Sequence, residues 1–230
     1  MNGLIHSSLY FGMLVSVGAY MLGVWLKKKT GWAILNPLLV AIIVVIAFLS
    51  VFHIEYKEYN RGAVYLGYFL TPATVCLAIP LYKQLELLRQ HLIAVASAIV
   101  AGGAGSVGSI YVMCRFFQLE HTHYVTLLPK SITTAIGMGV SEEAGGIVTL
   151  TVISIIITGI LGNIIADWLF QIFKIEEPIA KGLALGTAAH AIGTAKALEL
   201  GEIEGAMSSL SIAVAGLLTV VVVPLMSGLI

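Results

Sequence analysis

Six stretches of the chain contain no Asp, Glu, Lys or Arg: 1–26, 30–54, 62–82, 90–114, 144–166 and 205–230, the shortest being 21 residues. None alternates apolar and polar residues with the period of two that a barrel strand needs. About 20 apolar residues carry a helix across a bilayer, and a helix satisfies its own backbone in lipid. The pattern predicts an all-α polytopic membrane protein with six long transmembrane helices, forming a single domain over 1–230. No Lys or Arg precedes the first stretch, and Lys27, Lys28 and Lys29 follow it. It is expected to persist as helix one rather than to be removed as a signal. With the N-terminus outside, Lys27–Lys29, Lys83 and Arg89 fall inside and Lys57, Arg61 and Arg115 outside, in line with the positive-inside rule.

Two shorter uncharged pieces do not fit this scheme. One is 121–141, interrupted by Lys130; the other is 182–195, bounded by Lys181 and Lys196. Both are rich in Pro, Gly, Ser and Thr, which free backbone groups that lipid cannot satisfy but a protein-lined cavity can. They are expected to be broken or re-entrant helical elements of the kind that surround the midplane sites of secondary transporters. In the first half, Asn36-Pro37 opens the second stretch and Thr71-Pro72-Ala73-Thr74 interrupts the third. Each half then holds one Pro-started element and one Thr-centred break, which suggests an inverted repeat with halves 1–117 and 121–230.

Composition agrees. Hydrophobic residues are 59% and charged residues 10%, with a mean hydropathy of +1.00. That is too little charge to coat a soluble domain. Twelve cations balance twelve anions, so no basic field exists to gather nucleic acid. Cys76 and Cys114 sit in apolar runs and read as small hydrophobes. No cofactor or metal site is expected. There is no G-x-S-x-G or H-E-x-x-H pattern, and Asp167 is the lone aspartate, so enzymatic activity is not expected.

The candidate chemistry lies in the two breaks. Lys130 follows Pro129 in an uncharged neighbourhood; it either balances a carboxylate substrate or snorkels to the interface. Ser131, Thr133 and Thr134 could bind such a carboxylate or bond back within a helix. Gly137 adds a further break. In the second piece, Thr187, His190, Gly193 and Thr194 stand together; His190 could exchange a proton or be a core histidine bonded to a carbonyl. Thr71, Pro72, Thr74 and Asn36, with Pro37 as a helix opener, would complete a pocket. Glu142 and Glu143 read as a loop or as ion partners of Lys130. Asn163 and Asp167 share a helix face with Gly159 and could line a polar path or mark a helix end. The small residues Gly102, Gly103, Ala104, Gly105 and Gly108 read as a helix-packing patch.

The run LLPKSITTAIGM at 127–138 and the run KGLALGTAAHAIGTAKALEL at 181–200 resemble signatures of the LrgB/CidB family of bacterial membrane proteins. LNPLLVA at 35–41 and TPATVCLAIPLYKQ at 71–84 add to the resemblance, which covers nearly the whole chain in order. Some members have Pro where this chain has Ala135, and usually Ser where it has Ala189. The resemblance implies a multi-pass protein of the bacterial cytoplasmic membrane. It also implies one of two activities. One is transport of small monocarboxylates such as pyruvate or glycolate, through a midplane site made by the two breaks. The other is a holin/antiholin-like role modulating murein hydrolase activity and cell lysis. A small LrgA/CidA-type membrane partner is implied, since the chain is expected to lack the LrgA-like region fused in a plastid relative. A homo-oligomer, namely a dimer, is expected as well. Concentration of the polar residues in two breaks, rather than along one helix stripe, favours the carrier.

Overall fold

The computed structural model describes residues 10–32, 35–76 and 78–230, apart from the side chains at 70, 71, 74, 80 and 81. The described residues form helices and connections, with no strand among them. The chain divides into two compact units, Met1–Cys76 and Leu77–Ile230.

The first unit contains α1 (Phe11–Thr30), α2 (Pro37–Val51), α3 (Tyr56–Gly67) and α4 (Leu70–Cys76). Helix α1 ends on Gly31 at φ 69°, whose N–H donates to the Lys27 carbonyl. That left-handed position suits a glycine, and the three lysines of the last turn complement the helix dipole. Helix α2 begins with Asn36, whose Oδ1 accepts from the amides of Leu38 (2.9 Å) and Leu39 (3.4 Å), and Pro37 takes the first helical position. Gly23 lies against Pro37, and the rings of Phe11 and Phe48 stand 6.3 Å apart, so α1 and α2 pack antiparallel. Tyr59 of α3 reaches Ser16 of α1 at 2.7 Å.

The expected span at 62–82 is not one helix. Helix α3 ends at Gly67, and helix resumes at Leu70 with α4 and is described again over α5 (Ala78–Lys83). Pro72 occupies the third position of the helix that begins at Leu70, where the missing N–H has no intrahelical partner to lose. The expected second span is the 15-residue α2, about 22 Å long, shorter than a hydrocarbon core of about 30 Å.

The second unit continues with α6 (Leu85–Gln90), α7 (Leu92–Phe116), α8 (His121–Leu127), α9 (Thr134–Glu143), α10 (Val148–Ile172), α11 (Pro178–Leu200) and α12 (Glu202–Ser227). Among the described residues three helices are long and apolar enough to cross a membrane, namely α7, α10 and α12, in place of the six expected. Ile93, Val112, Trp168, Leu217 and Leu225 on these helices are more than half exposed. An apolar surface of this kind is disfavoured in water and suited to lipid.

Both unusual pieces are hairpins. In the first, α8 and α9 lie side by side: the Thr151 hydroxyl donates to the Thr126 carbonyl on α8 and shares a hydrogen bond with the Ser141 hydroxyl on α9, and Gly137 abuts the Pro129 carbonyl. The tip is the irregular segment 128–133, which contains Pro129, Lys130 and Ser131. In the second, α11 reverses at His190, whose φ of 43° and ψ of −133° cannot continue a helix. Gly193 on the returning arm meets the Leu185 carbonyl of the outgoing arm, eight residues back. A straight helix would place those residues about 12 Å apart. The outgoing arm runs parallel to α12, with Gly182 on Glu204 and Gly186 on Ser208. The returning arm runs antiparallel to it, with Thr194 on Ser208 and Leu198 on Gly205.

The two hairpins enter from opposite ends of the unit. The first is rooted where α7 and α12 end: Tyr124 donates to the Met226 carbonyl in the last turn of α12, and His121 Nδ1 meets the Ile230 carbonyl. The second is rooted where α10 ends and α12 begins. The order hairpin then long helix therefore occurs twice, over 121–172 and 178–227, in opposite senses.

Candidate functional site

A cleft of about 680 Å³ lies in the second unit, between α7, α10 and both hairpins. The tip of the first hairpin contributes Lys130 and Ser131. The outgoing arm of the second contributes Ala180, Leu183, Ala184, Thr187 and Ala188. Helix α7 presents Ala98, Gly102, Gly105, Ser106 and Ser109, and α10 presents Thr158, Leu161, Gly162 and Ile165. One cation and several hydroxyls line the cleft, and no acidic side chain does.

The polar end is built around Ser131, which is buried. Its Oγ accepts from Ser106 Oγ at 2.9 Å and from Lys130 Nζ at 3.0 Å. With two acceptor positions occupied, the Ser131 hydroxyl proton is left to donate elsewhere. No carboxylate among the described residues pairs with Lys130. An ammonium with spare N–H donors beside a donating hydroxyl is an arrangement for an anion. Ser106 lies fourteen residues after Leu92 and ten before Phe116, about 21 Å and 15 Å along α7, so this chemistry sits near mid-helix.

The second hairpin is fastened along one face of α10. His190 Nε2 donates to the Ile155 carbonyl at 2.9 Å, Asn163 Nδ2 donates to the Ile192 carbonyl at 3.2 Å, and Lys196 pairs with Asp167 at 2.7 Å. Because a carbonyl only accepts, the proton of His190 is on Nε2. Gly159 leaves room for the His190 ring. On the other side, Thr194 shares a hydrogen bond with Ser208 at 2.7 Å and donates to the His190 carbonyl at 3.0 Å. Ile155 also touches the first hairpin, its side chain lying against Gly137. Both hairpins thus converge on one residue of α10.

Of the residues singled out from sequence, Lys130, Ser131 and Thr187 line the cleft. Thr187 spends its hydroxyl on the Leu183 carbonyl at 2.7 Å. His190, Gly193 and Thr194 lie behind the cleft wall, where they shape and hold the second hairpin; His190 is the carbonyl-bonded core histidine. Thr133 and Thr134 start α9 beside the tip and are outside the lining. Pro129 is fully buried. Glu142 and Glu143 are exposed at the far end of α9, about nine residues of helix from the tip, so they are not ion partners of Lys130. Asn163 and Asp167 bind the returning arm instead of lining a path. Asn36 caps a helix, and Pro37 opens it. Pro72 is exposed on α4 in the first unit, and the side chains of Thr71 and Thr74 lie outside the described residues. Of the small-residue patch, Gly102 packs on Thr187, while Gly103, Gly105 and Gly108 meet no other residue of this chain. Ser106, Ser109 and Thr158 were missed. The recurrence of small residues at 98, 102, 105, 106 and 109 was the available signal for a concave wall.

The LrgB-like family profile matches residues 16–229. The chain belongs to the LrgB-like family. It is 41% identical over 217 residues to "Antiholin-like protein LrgB" of Bacillus mycoides (strain KBAB4), covering 94% of each chain. It is 39% identical over 216 residues to the protein of the same name from Bacillus subtilis (strain 168), again covering 94% of each. No solved structure matches. Family and apolar spans together make this a membrane protein of the LrgB-like family. The relatives' names favour the antiholin-like alternative over the carrier, and say nothing of transport.

Proposed function

We propose that this LrgB-like protein carries small carboxylate anions across the bacterial cytoplasmic membrane through the cleft of its second unit. The observation that carries this reading is Lys130, unpaired with any carboxylate among the described residues and hydrogen-bonded to Ser131, at the tip of a hairpin that meets a second hairpin entering from the opposite end. A lysine near the centre of a bilayer costs about 2.5–3.5 kcal/mol on insertion scales; a bound anion offsets that cost. Two hairpins rooted at opposite ends supply two separate closures, which alternating access requires. Lys130 and Ser131 bind the carboxylate, Ser106 orients Ser131, and Asn163, His190 and Thr194 hold the second hairpin in its closed position.

The test is uptake of radiolabelled pyruvate by proteoliposomes. Lys130→Met abolishes uptake, and Lys130→Arg retains part of it. Normal uptake by folded Lys130→Met refutes the assignment.

A second reading is favoured by the relatives' names: an antiholin-like protein that modulates murein hydrolase activity and cell lysis, working with a small membrane partner and as a dimer. It predicts a change in murein hydrolase zymograms when the protein is expressed, one that survives Lys130→Met. Release of large dyes from vesicles, without selectivity, favours this reading over the carrier.

A further inference from the structure

Five hydroxyl side chains line the cleft, and four of them already take part in hydrogen bonds within the chain. Ser106 donates to Ser131, whose oxygen also accepts from Lys130. Ser109 donates to the Ser106 carbonyl at 2.8 Å, and Thr187 to the Leu183 carbonyl at 2.7 Å. The fifth, Thr158, makes no hydrogen bond with any described residue. Other threonines on the helices behave differently: Thr126, Thr187, Thr194 and Thr219 each donate to the carbonyl four residues back. Every buried side-chain polar atom among the described residues has a partner. The Thr158 hydroxyl is therefore open to the cleft rather than stranded in packing.

The packing of α10 sets its height. Thr151 bonds to α8 and α9 of the first hairpin, and Ile155, one turn on, lies against Gly137, which abuts the Pro129 carbonyl. Thr158 is three residues, about 4.5 Å, further toward the tip. Lys130 and Ser131 are the two residues after Pro129. The Ile155 carbonyl and the space at Gly159 also receive His190 of the second hairpin. Thr158 thus stands on the α10 wall at the level where both hairpins converge, with Ser106 on the wall of α7. Lys130 and Ser131 offer the donors that suit a carboxylate. A threonine hydroxyl both donates and accepts, so it suits a neutral oxygen, whether carbonyl or hydroxyl.

We propose that Thr158 is a specificity-determining residue of the cleft. With a monocarboxylate held on Lys130 and Ser131, its hydroxyl takes the oxygen on the adjacent carbon and so favours 2-oxo and 2-hydroxy acids over unsubstituted acids of the same length. This rests on the carboxylate reading above and adds the residue that recognises the second oxygen. One neutral hydrogen bond of this kind corresponds to about tenfold in affinity.

The experiment is ligand-induced thermal stabilisation of the purified full chain in detergent at pH 8, titrated with pyruvate, lactate and propionate to give an apparent Kd for each. The shift seen with Lys130→Met serves as the blank for salt effects. Pyruvate and lactate are expected to bind about tenfold more tightly than propionate. Thr158→Val, which keeps the shape and removes the hydroxyl, brings all three to the propionate value. Thr158→Ser, which keeps the hydroxyl, retains the preference. Thr158→Ala replaces the valine variant if that one does not melt cooperatively. A preference that survives loss of the hydroxyl, or equal weakening for all three acids, overturns the assignment of Thr158. Lys130-dependent binding without preference in the unaltered protein overturns it too, and leaves the carboxylate reading standing. Absence of Lys130-dependent binding by all three acids, with the protein monodisperse and cooperatively melting, overturns both.

Discussion

The reversal at His190 makes a prediction whose sign differs between a straight helix and a hairpin. Replace His190 by Ala and, separately, by Gly. Both variants lose the ring's hydrogen bond to the Ile155 carbonyl, leaving a buried acceptor unpaired at a cost of about 1–3 kcal/mol. They differ at the backbone. In the interior of a straight helix Gly is about 1 kcal/mol less stable than Ala. At φ 43° and ψ −133° the order inverts, because a Cβ is strained there by about 1–3 kcal/mol and Gly is not. The hairpin therefore predicts Gly above Ala by about 1–2 kcal/mol net of Gly's larger unfolded-state entropy. For a chain of this length that is about 2–8 °C in Tm. The assay is thermal unfolding of the purified variants in detergent, followed by tryptophan fluorescence. Ala melting at or above Gly would refute the reversal, and with it the second hairpin.

The remaining predictions concern the same unit. Gly193→Val drives a side chain into the Leu185 carbonyl and pries the arms apart; a loss of about 1–3 kcal/mol or more is expected in the same melting assay, and an unchanged Tm contradicts the arm contact. Asp167→Lys with Lys196→Asp preserves the pair in reverse, so the double variant should recover stability lost by either single one; with Asp167 45% exposed the coupling is expected below about 1 kcal/mol in a double-mutant cycle. Glu142→Gln with Glu143→Gln should leave carboxylate uptake unchanged, since both side chains are exposed and away from the cleft; loss of uptake would restore them as partners of Lys130. Thr194→Val should lower Tm through the unpaired Ser208 hydroxyl by about 1–3 kcal/mol, and equal melting would show the pair carries no weight.

Much of this architecture was legible along the chain. Apolar runs longer than 20 residues without charge have one stable solution in lipid, and α7, α10 and α12 follow from it. The two interrupted runs were legible for the complementary reason: Pro129 removes a donor, and Lys130 is too costly to leave unaccounted for in hydrocarbon. The run at 62–82 shows the limit. Its hydropathy says span, while the helix stops at Gly67 and restarts at Leu70 with Pro72 in its first turn, and hydropathy averages do not register a missing N–H.

What the sequence determined by itself was membrane residence, helical content, the places where helices fail and the family. Tertiary structure alone decided what those failures do. Reversal at His190 depends on Gly186 and Gly193 admitting neighbouring backbone and on a carbonyl of α10 receiving the ring. Gly102 packs on Thr187 of the second hairpin while Gly105 meets nothing, so the same run of small residues is a contact at one position and a cleft wall at the next. Local periodicity specifies which residues share a face; which face meets another is set by long-range packing, and here that packing puts the hydroxyl of α7 onto the tip that carries the lysine.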